Sequence, residues 1–494
     1  MKSRFLLLWL ILIAAFNFLF WHEAPGLNML LFAVLVMTAL FIRYPRSLRR
    51  KSVQLTGSCT LLCGVMVTIY GPGWSVFAVI FSLSVFTIFV MEPQFRSVSG
   101  AAIQFVLNVF SWMFAKENGA QTNPGNKPAG RGWFYTKVLL LPLLVTFLFF
   151  VLYLWGNPHF AEKFGGFFTN LIKFFEDFTA AHFFFLLGGT ILCGAFLRLC
   201  RIGLERLEQL PDEMVRKKRK HIFPAGMIAL RSEVKTGIVM LALLNVLLLF
   251  VNGLDISKVW YRFVVPKDFS LKDFVHEGTW VLMFSIFLSM AVLLWLFRGN
   301  IHFYKKNLWL KRLAYIWIAQ NVFLALSLFK RNYEYIDFHG LAYGRIVVIV
   351  FLIVVIAGLI TFVIKIKKDR SVFFLNRINS WIAYFLIVMV SFVNWDMVIV
   401  RYNLHHWNKG QIDTDFYLHA NEDVYPLLFE NEELVYQQLE AQRQNPVVWV
   451  DHLDDFWKVL HRKRFNYWQA NCCVNDWKSW HYLRDKTLDW MDIH

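Results

Sequence analysis

The chain has 494 residues, of which 57 % are hydrophobic, 18 % aromatic and only 17 % charged, with phenylalanine occurring 51 times. A water-soluble fold of this length has no interior large enough for so much apolar surface, so the composition excludes an ordinary soluble globular protein and makes lipid the solvent. The net charge of +17 would suggest nucleic acid in a soluble protein, but residues 401–494 hold 10 Lys and Arg against 15 Asp and Glu, which leaves the basic excess to the apolar part. Basic residues in short loops between apolar runs encode membrane topology, and nucleic-acid binding is not expected.

Met1-Lys2-Ser3-Arg4 and the apolar run after them resemble a secretory leader. The following Trp21-His22-Glu23-Ala24-Pro25 lacks a small-residue cleavage site, so the run reads as a retained first membrane helix. A helix spans the bilayer core with about twenty apolar residues. On that basis eleven spans are predicted, at 5–20, 26–42, 54–70, 74–91, 134–155, 180–198, 232–251, 279–297, 310–329, 342–364 and 378–400. His22-Glu23-Ala24-Pro25-Gly26 and Gly71-Pro72-Gly73 are tight hairpin turns. Residues 100–114 are too short to span and read as interfacial or re-entrant, and 116–132 as a polar linker. In 160–178, phenylalanines at helical spacing suit either a helix in the interface or packing against the bundle.

Orientation follows from the basic connections. Residues 43–53, 198–222 (with Arg216-Lys217-Lys218-Arg219-Lys220), 298–312 and 365–377 are rich in Lys and Arg. They fall on one side if the N-terminus is cytoplasmic, and an odd span count then places the C-terminus outside the cytoplasm. Beyond the bundle of residues 1–403, the acidic, Trp-rich segment 404–494 reads as a small helical extramembrane region. Its helices are expected over 413–442, interrupted near Pro426, and over 451–463 and 475–491. The fold class is thus all-α: a polytopic transmembrane bundle with a small helical C-terminal region.

Polar residues in or beside spans are costly and therefore candidates for function. His22 and Glu23 end the first span and are suited to protons or a metal, though a hairpin tip also accepts polar residues. Gln320 and Asn321 sit deepest, mid-span, where amides more often join helices than bind substrate. The densest group flanks the last two spans: Glu334, Asp337 and Arg345 around the tenth, and Asn394, Asp396, Arg401 and Asn403 at the end of the eleventh. On one continuous helix Asn394 and Arg401 share a face, as do Asp396 and Asn403. A buried ion network, with Arg345 and Arg401 pairing Glu334, Asp337 or Asp396, is expected before a binding site for an anionic or polar ligand.

Asp451, His452, Asp454, Asp455 and His461 match no standard metal spacing and read as a solvated helix face. The six cysteines include no Cys-x-x-Cys, and no metal or cofactor is expected. No phosphate-binding loop, dinucleotide fingerprint, zinc-protease or nucleophile-elbow motif occurs, so no catalytic residue is assigned.

The segments FWHEAPGLNMLLF (20–32), YEYIDFHGLAYGRI (333–346), FVNWDMVIVRYNL (392–404) and DTDFYLHANEDVYPLL (413–428) together resemble a family of multi-pass bacterial membrane proteins of unknown function. The resemblance rests most on Gly340-Leu341 and Arg345 before the penultimate helix, and on Asn394-Trp395-Asp396 and Arg401-Tyr402-Asn403 at the end of the last. It implies a cytoplasmic-membrane location in a bacterium and supplies no activity. Three functions stay open: a membrane scaffold or sensor coupled to the C-terminal region; a transporter or permease for a small polar or anionic solute; and a membrane enzyme acting on a lipid-linked or envelope substrate. Membrane lipids, and a protein partner reached through the C-terminal region, are the expected partners.

Overall fold

The computed structural model describes residues 2–71, 73–112, 180–200, 225–261, 271–297, 301, 304, 307–406, 415–444, 455–472 and 477–493. The expected span at 134–155, the linker, the phenylalanine-rich segment, the basic run at 216–220 and Asp451, His452 and Asp454 lie outside the described residues. The described chain is all-α. In order the helices are α1 (Lys2–Phe20), α2 (Leu27–Arg43), α3 (Lys51–Tyr70), α4 (Trp74–Met91), α5 (Val98–Ser111), α6 (Ala180–Leu197), α7 (Ala225–Asp255), α8 (Leu271–Leu296), α9 (Leu308–His339), α10 (Tyr343–Lys367), α11 (Val372–Val390) and α12 (Trp395–His405). The C-terminal region adds α13 (Asp415–His419), α14 (Tyr425–Glu430), α15 (Glu432–Gln444), α16 (Phe456–Asn471) and α17 (Tyr482–Ile493).

Among the described residues six helices are long and apolar enough to cross a membrane: α3, α4, α7 with the turn that follows it, α9, α10 and α11. Shorter apolar helices lie at Phe5–Phe20, Leu27–Arg43, Val98–Ser111, Ala181–Leu197 and Val281–Leu296. Two compact units divide the chain: residues 1–21 with 108–200, and residues 22–107 with 201–494.

In the first unit α1 packs on α6. Trp9 meets Trp112 edge-on at 5.7 Å, and His182 bonds Asn17 at 2.7 Å with the Trp21 ring stacked on it. Asn108 serves the end of α6: its amide donates to the carbonyls of Ala195 at 2.8 Å and Arg198 at 2.9 Å, while its oxygen accepts the Cys200 N–H at 2.7 Å. One side chain thereby satisfies backbone groups that a helix end leaves open.

In the second unit α2, α3 and α4 pack together, and Arg50 donates to the last carbonyls of α4, Phe89 and Val90, at 2.6 Å each. A chain of hydroxyls, Thr60 to Ser82 at 2.8 Å and Ser82 to Tyr384 at 2.6 Å, joins α3, α4 and α11. Helices α7 to α10 share a second apolar core that includes Leu241, Leu293, Leu324 and Leu352.

α7 and α9 run parallel with a polar seam in constant register. Asn245 donates to the Leu313 carbonyl at 3.1 Å and Asn252 to the Gln320 carbonyl at 3.2 Å; the Trp260 indole reaches Ser327 at 2.9 Å. Gln320 returns a bond to Asn245 at 2.9 Å, and Asp255 is ion-paired with Arg331, both buried. The seven-residue spacing of Asn245 and Asn252 against Leu313, Gln320 and Ser327 is that of a coiled-coil seam.

The expected continuous helix over 378–400 is corrected. α11 ends at Val390, and α12 starts afresh at Trp395 with Asn394 as its N-cap, the Asn394 side chain accepting the Met397 N–H at 3.2 Å. A capping asparagine with Asp396 in the first turn is a helix start, and it overrides the apolar run around it. In the C-terminal region the helix expected over 413–442 divides into α13, a short 3-10 turn (Glu422–Val424), α14 and α15. The one expected over 451–463 runs instead as Phe456–Asn471.

Val400 and Leu404 of α12 share one core with Tyr417, Tyr425, Leu428, Val435, Phe456, Leu460 and Met491. Gln438 of α15 ties this core to α12, donating to the Asn403 carbonyl at 3.1 Å and accepting from the Tyr417 hydroxyl at 3.0 Å.

Candidate functional site

The C-terminal region meets the rest of the second unit where four chain breaks gather: before α2 at 22–26, between α3 and α4, between α9 and α10, and at 391–394. At the opposite ends of α2 and α3 lie Arg43, Arg46, Arg49, Arg50 and Lys51, and at the opposite end of α10 lie Lys365, Lys367, Lys368 and Arg370. Each contact is made by a polar side chain.

The first contact is Glu23. Its carboxylate accepts from Lys478 at 2.9 Å and from the Ser479 hydroxyl at 2.7 Å. Backbone pairing continues it, with the Leu27 N–H donating to the Trp480 carbonyl at 2.9 Å. Gly26 makes the approach possible: a Cβ there would stand 2.6 Å from the Ser479 backbone. His22, with a φ of 59°, occupies the left-handed region at this turn.

His481 sits beside the turn at Gly71 and caps α17, its Nδ1 accepting the Arg484 N–H at 3.2 Å. Burial, reinforced by the Arg484 charge and opposed by Asp485, pushes its imidazole down to about 4.

The second contact runs through Asn403 of α12, whose backbone carbonyl holds Gln438 of α15. The Asn403 side-chain oxygen accepts the Leu341 N–H at 2.6 Å and its amide donates to the Leu341 carbonyl at 3.0 Å. Gly340 precedes this pair at a φ of 77°, and a Cβ there would lie 2.5 Å from the Asn403 oxygen.

The third contact surrounds Asp396, a buried carboxylate that accepts from the Tyr343 hydroxyl at 2.6 Å and from the Asn421 N–H at 3.4 Å. Asn394 donates to Asp423. Burial raises the Asp423 carboxyl to about 6; the Asn394 bond works against the shift and the Asp396 charge adds to it. A small cleft opens here, lined by Tyr70, Trp74, Tyr343, Asn394, Trp395 and Asp396 among others.

The structure thus gathers Asn394, Asp396 and Asn403 at one junction but distributes the other candidates. Glu334 pairs with Lys330 one turn away on α9. Arg345 donates to the carbonyls of His339 and Gly340 and lies over the Tyr335 ring at 4.6 Å, closing the end of α9. Arg401 is exposed on α12, and no ion pair joins it to Glu334, Asp337 or Asp396 among the described residues. Gln320 serves the α7–α9 seam, and Asn321 bonds the Trp317 carbonyl of its own helix at 2.8 Å. Among the described residues no group of three or more His, Cys, Asp or Glu is placed to hold a metal.

Sequence reasoning did not single out Arg331, Tyr343, Asp423, Lys478 or Ser479. Arg331 had a signal, as a basic residue within one turn of an apolar helix. The others are ordinary residues in polar surroundings whose partners lie far away in the chain.

Fold and junction define an all-α protein of apolar, membrane-length helices with a helical C-terminal region keyed to one end of the bundle. The chain belongs to the family described as Domain of unknown function (DUF4153), whose model matches residues 5–430. The matched segment takes in Glu23, Asp396, Asn403 and Asp423 and ends before α15. No curated protein and no solved structure matches the chain.

Proposed function

We propose that this protein is a multi-pass scaffold or sensor of the bacterial cytoplasmic membrane, with its C-terminal helical region held on the extracytoplasmic end of the bundle. The observation that carries the reading is the Glu23 contact, which fastens Lys478 and Ser479 to the first hairpin from 455 and 456 residues away. Glu23, Asn394, Asp396 and Asn403 are engaged with other side chains or with backbone, as expected of a fastening. Positive-inside statistics assign the basic ends of α2, α3 and α10 to the cytoplasm. That leaves the hairpin turns and the region docked on them outside, consistent with an odd number of spans near eleven. A transport pathway through Gln320 and Asn321 has less support, because the Gln320 amide nitrogen bonds Asn245 across the α7–α9 seam and the Asn321 amide nitrogen bonds the Trp317 carbonyl of its own helix.

Two measurements test the proposal on the intact protein. Carbodiimide treatment in membranes should couple the Glu23 carboxylate directly to the Lys478 amine, giving a cross-linked peptide by mass spectrometry. Reporters fused at the C-terminus should be active when they require the periplasm and silent when they require the cytoplasm. Failure of the coupling would remove the docked region, and a cytoplasmic reporter signal would reverse the orientation.

A further inference from the structure

The cleft at α12 is built for charge of one sign. Asp396 is 5 % exposed, and the donors that reach its oxygens, the Tyr343 hydroxyl and the Asn421 N–H, are neutral. A second carboxylate, Asp423, is linked to it through Asn394, and its Oδ1 is buried with no hydrogen-bond partner. Among the described residues that line the cleft there is no Lys, Arg or His. The Asp396 carboxylate, held out of water by neutral donors, puts on the cleft a negative charge that an entering cation can balance.

The walls indicate which cation. Tyr70, Trp74, Tyr343 and Trp395 line the cleft, and aromatic faces attract weakly hydrated organic cations. The Trp395 indole is fixed by donating to the Val390 carbonyl at 2.9 Å, while Trp74, 42 % exposed, leaves the mouth open. A divalent metal would instead require a shell of several oxygen ligands.

We propose that this cleft binds an organic ammonium group, primary or quaternary, with Asp396 as its counter-charge and Tyr70, Trp74 and Trp395 as its aromatic walls. The proposal rests on the scaffold or sensor reading and supplies that reading with a ligand class. The mouth lies at helix ends beside the membrane boundary, so the ammonium comes either from a zwitterionic phospholipid headgroup or from a free amine.

The test uses the full chain in nanodiscs of phosphatidylglycerol alone, titrated calorimetrically with ethanolamine and with choline against matched sodium chloride. Saturable binding is expected, weakened at least tenfold in Asp396→Asn and in Trp74→Ala, and absent for 3,3-dimethyl-1-butanol, the uncharged isostere of choline. Circular dichroism and gel filtration check each variant; if Asp396→Asn does not fold, Trp74→Ala and the isostere decide. With phosphatidylethanolamine in the disc, weakened binding of the soluble amines identifies the lipid headgroup as the source, and unchanged binding identifies a free amine; either supports an ammonium site. No saturable binding by the wild type, equal binding of the isostere, or unchanged affinity in the folded variants overturns it. Carbodiimide coupling of Glu23 to Lys478 in the same sample separates the two ideas: coupling without amine binding removes the ammonium site alone, and loss of coupling removes the docked region beneath it.

Discussion

Asn403 grips the Leu341 backbone with both ends of its amide, accepting the N–H at 2.6 Å and donating to the carbonyl at 3.0 Å. A strand partner would offer Leu341 the same two bonds, and no shorter or charged side chain replaces both. Asn403→Ala leaves the two backbone groups without these partners, a loss on the order of 2–4 kcal/mol. Asn403→Asp keeps the acceptor but sets a carboxylate against the carbonyl, and should also be destabilising. Gly340→Ala is expected to act through the same contact, since its Cβ would strike the Asn403 oxygen. Unfolding midpoints in detergent, with trypsin sensitivity of the C-terminal region as the local readout, check all three.

Gly26 allows the 477–481 segment to reach the first hairpin. Gly26→Ala is expected to push that segment away at a cost of about 1–3 kcal/mol, by steric overlap rather than loss of a bond. Glu23→Gln removes the ion pair and can keep the Ser479 bond, so its effect should be smaller. The rate of proteolysis at the end of α16 measures both, and a Glu23→Gln effect larger than that of Gly26→Ala would reverse the ranking.

Acid should loosen the same attachment. His481 titrates near 4 in the folded protein and at 6.5 unperturbed. As pH falls, the undocked chain takes the proton first, so docking loses stability between about 6.5 and 4. The proton also occupies Nδ1, which then cannot accept the Arg484 N–H. Asp423 acts in the opposite sense: raised from 3.8 to about 6, it favours the folded state as pH falls through that window. His481→Asn preserves a cap acceptor without a titrating ring, and should remove the acid-sensitive component from the pH profile of proteolysis. Asp423→Asn should leave a steeper loss toward acid than the wild type has.

The Asp255–Arg331 pair lies buried where α7 and α9 meet. Asp255→Ala leaves the Arg331 charge without this counter-charge, at about 3–5 kcal/mol, whereas Asp255→Leu with Arg331→Met should be close to neutral. Thermal unfolding of the three proteins distinguishes a structural pair from one with a further role: a stable double variant that fails to restore a wild-type growth phenotype would point beyond structure.

Composition and hydropathy alone determine that the chain is helical and has helices of membrane length, because lipid leaves an isolated backbone no alternative to satisfying its own hydrogen bonds. The turns at Glu23–Gly26 and Gly71–Gly73 were likewise legible, since Pro and Gly stop helices by local geometry. The unusual density of polar residues around Asp396 and Asn403 was visible too. Their partners were not. The seven-residue spacing of Asp396 and Asn403 correctly put them on one face, but α12 begins at the Asn394 cap, so Arg401 faces solvent and Arg345 closes α9. Glu23 looks like an interfacial carboxylate until Lys478 arrives from 455 positions away. Hydrogen bonds and ion pairs act over a few ångströms and carry no mark of sequence separation, so only the tertiary structure could decide which polar residues fasten the C-terminal region and which surround the cleft at Asp396.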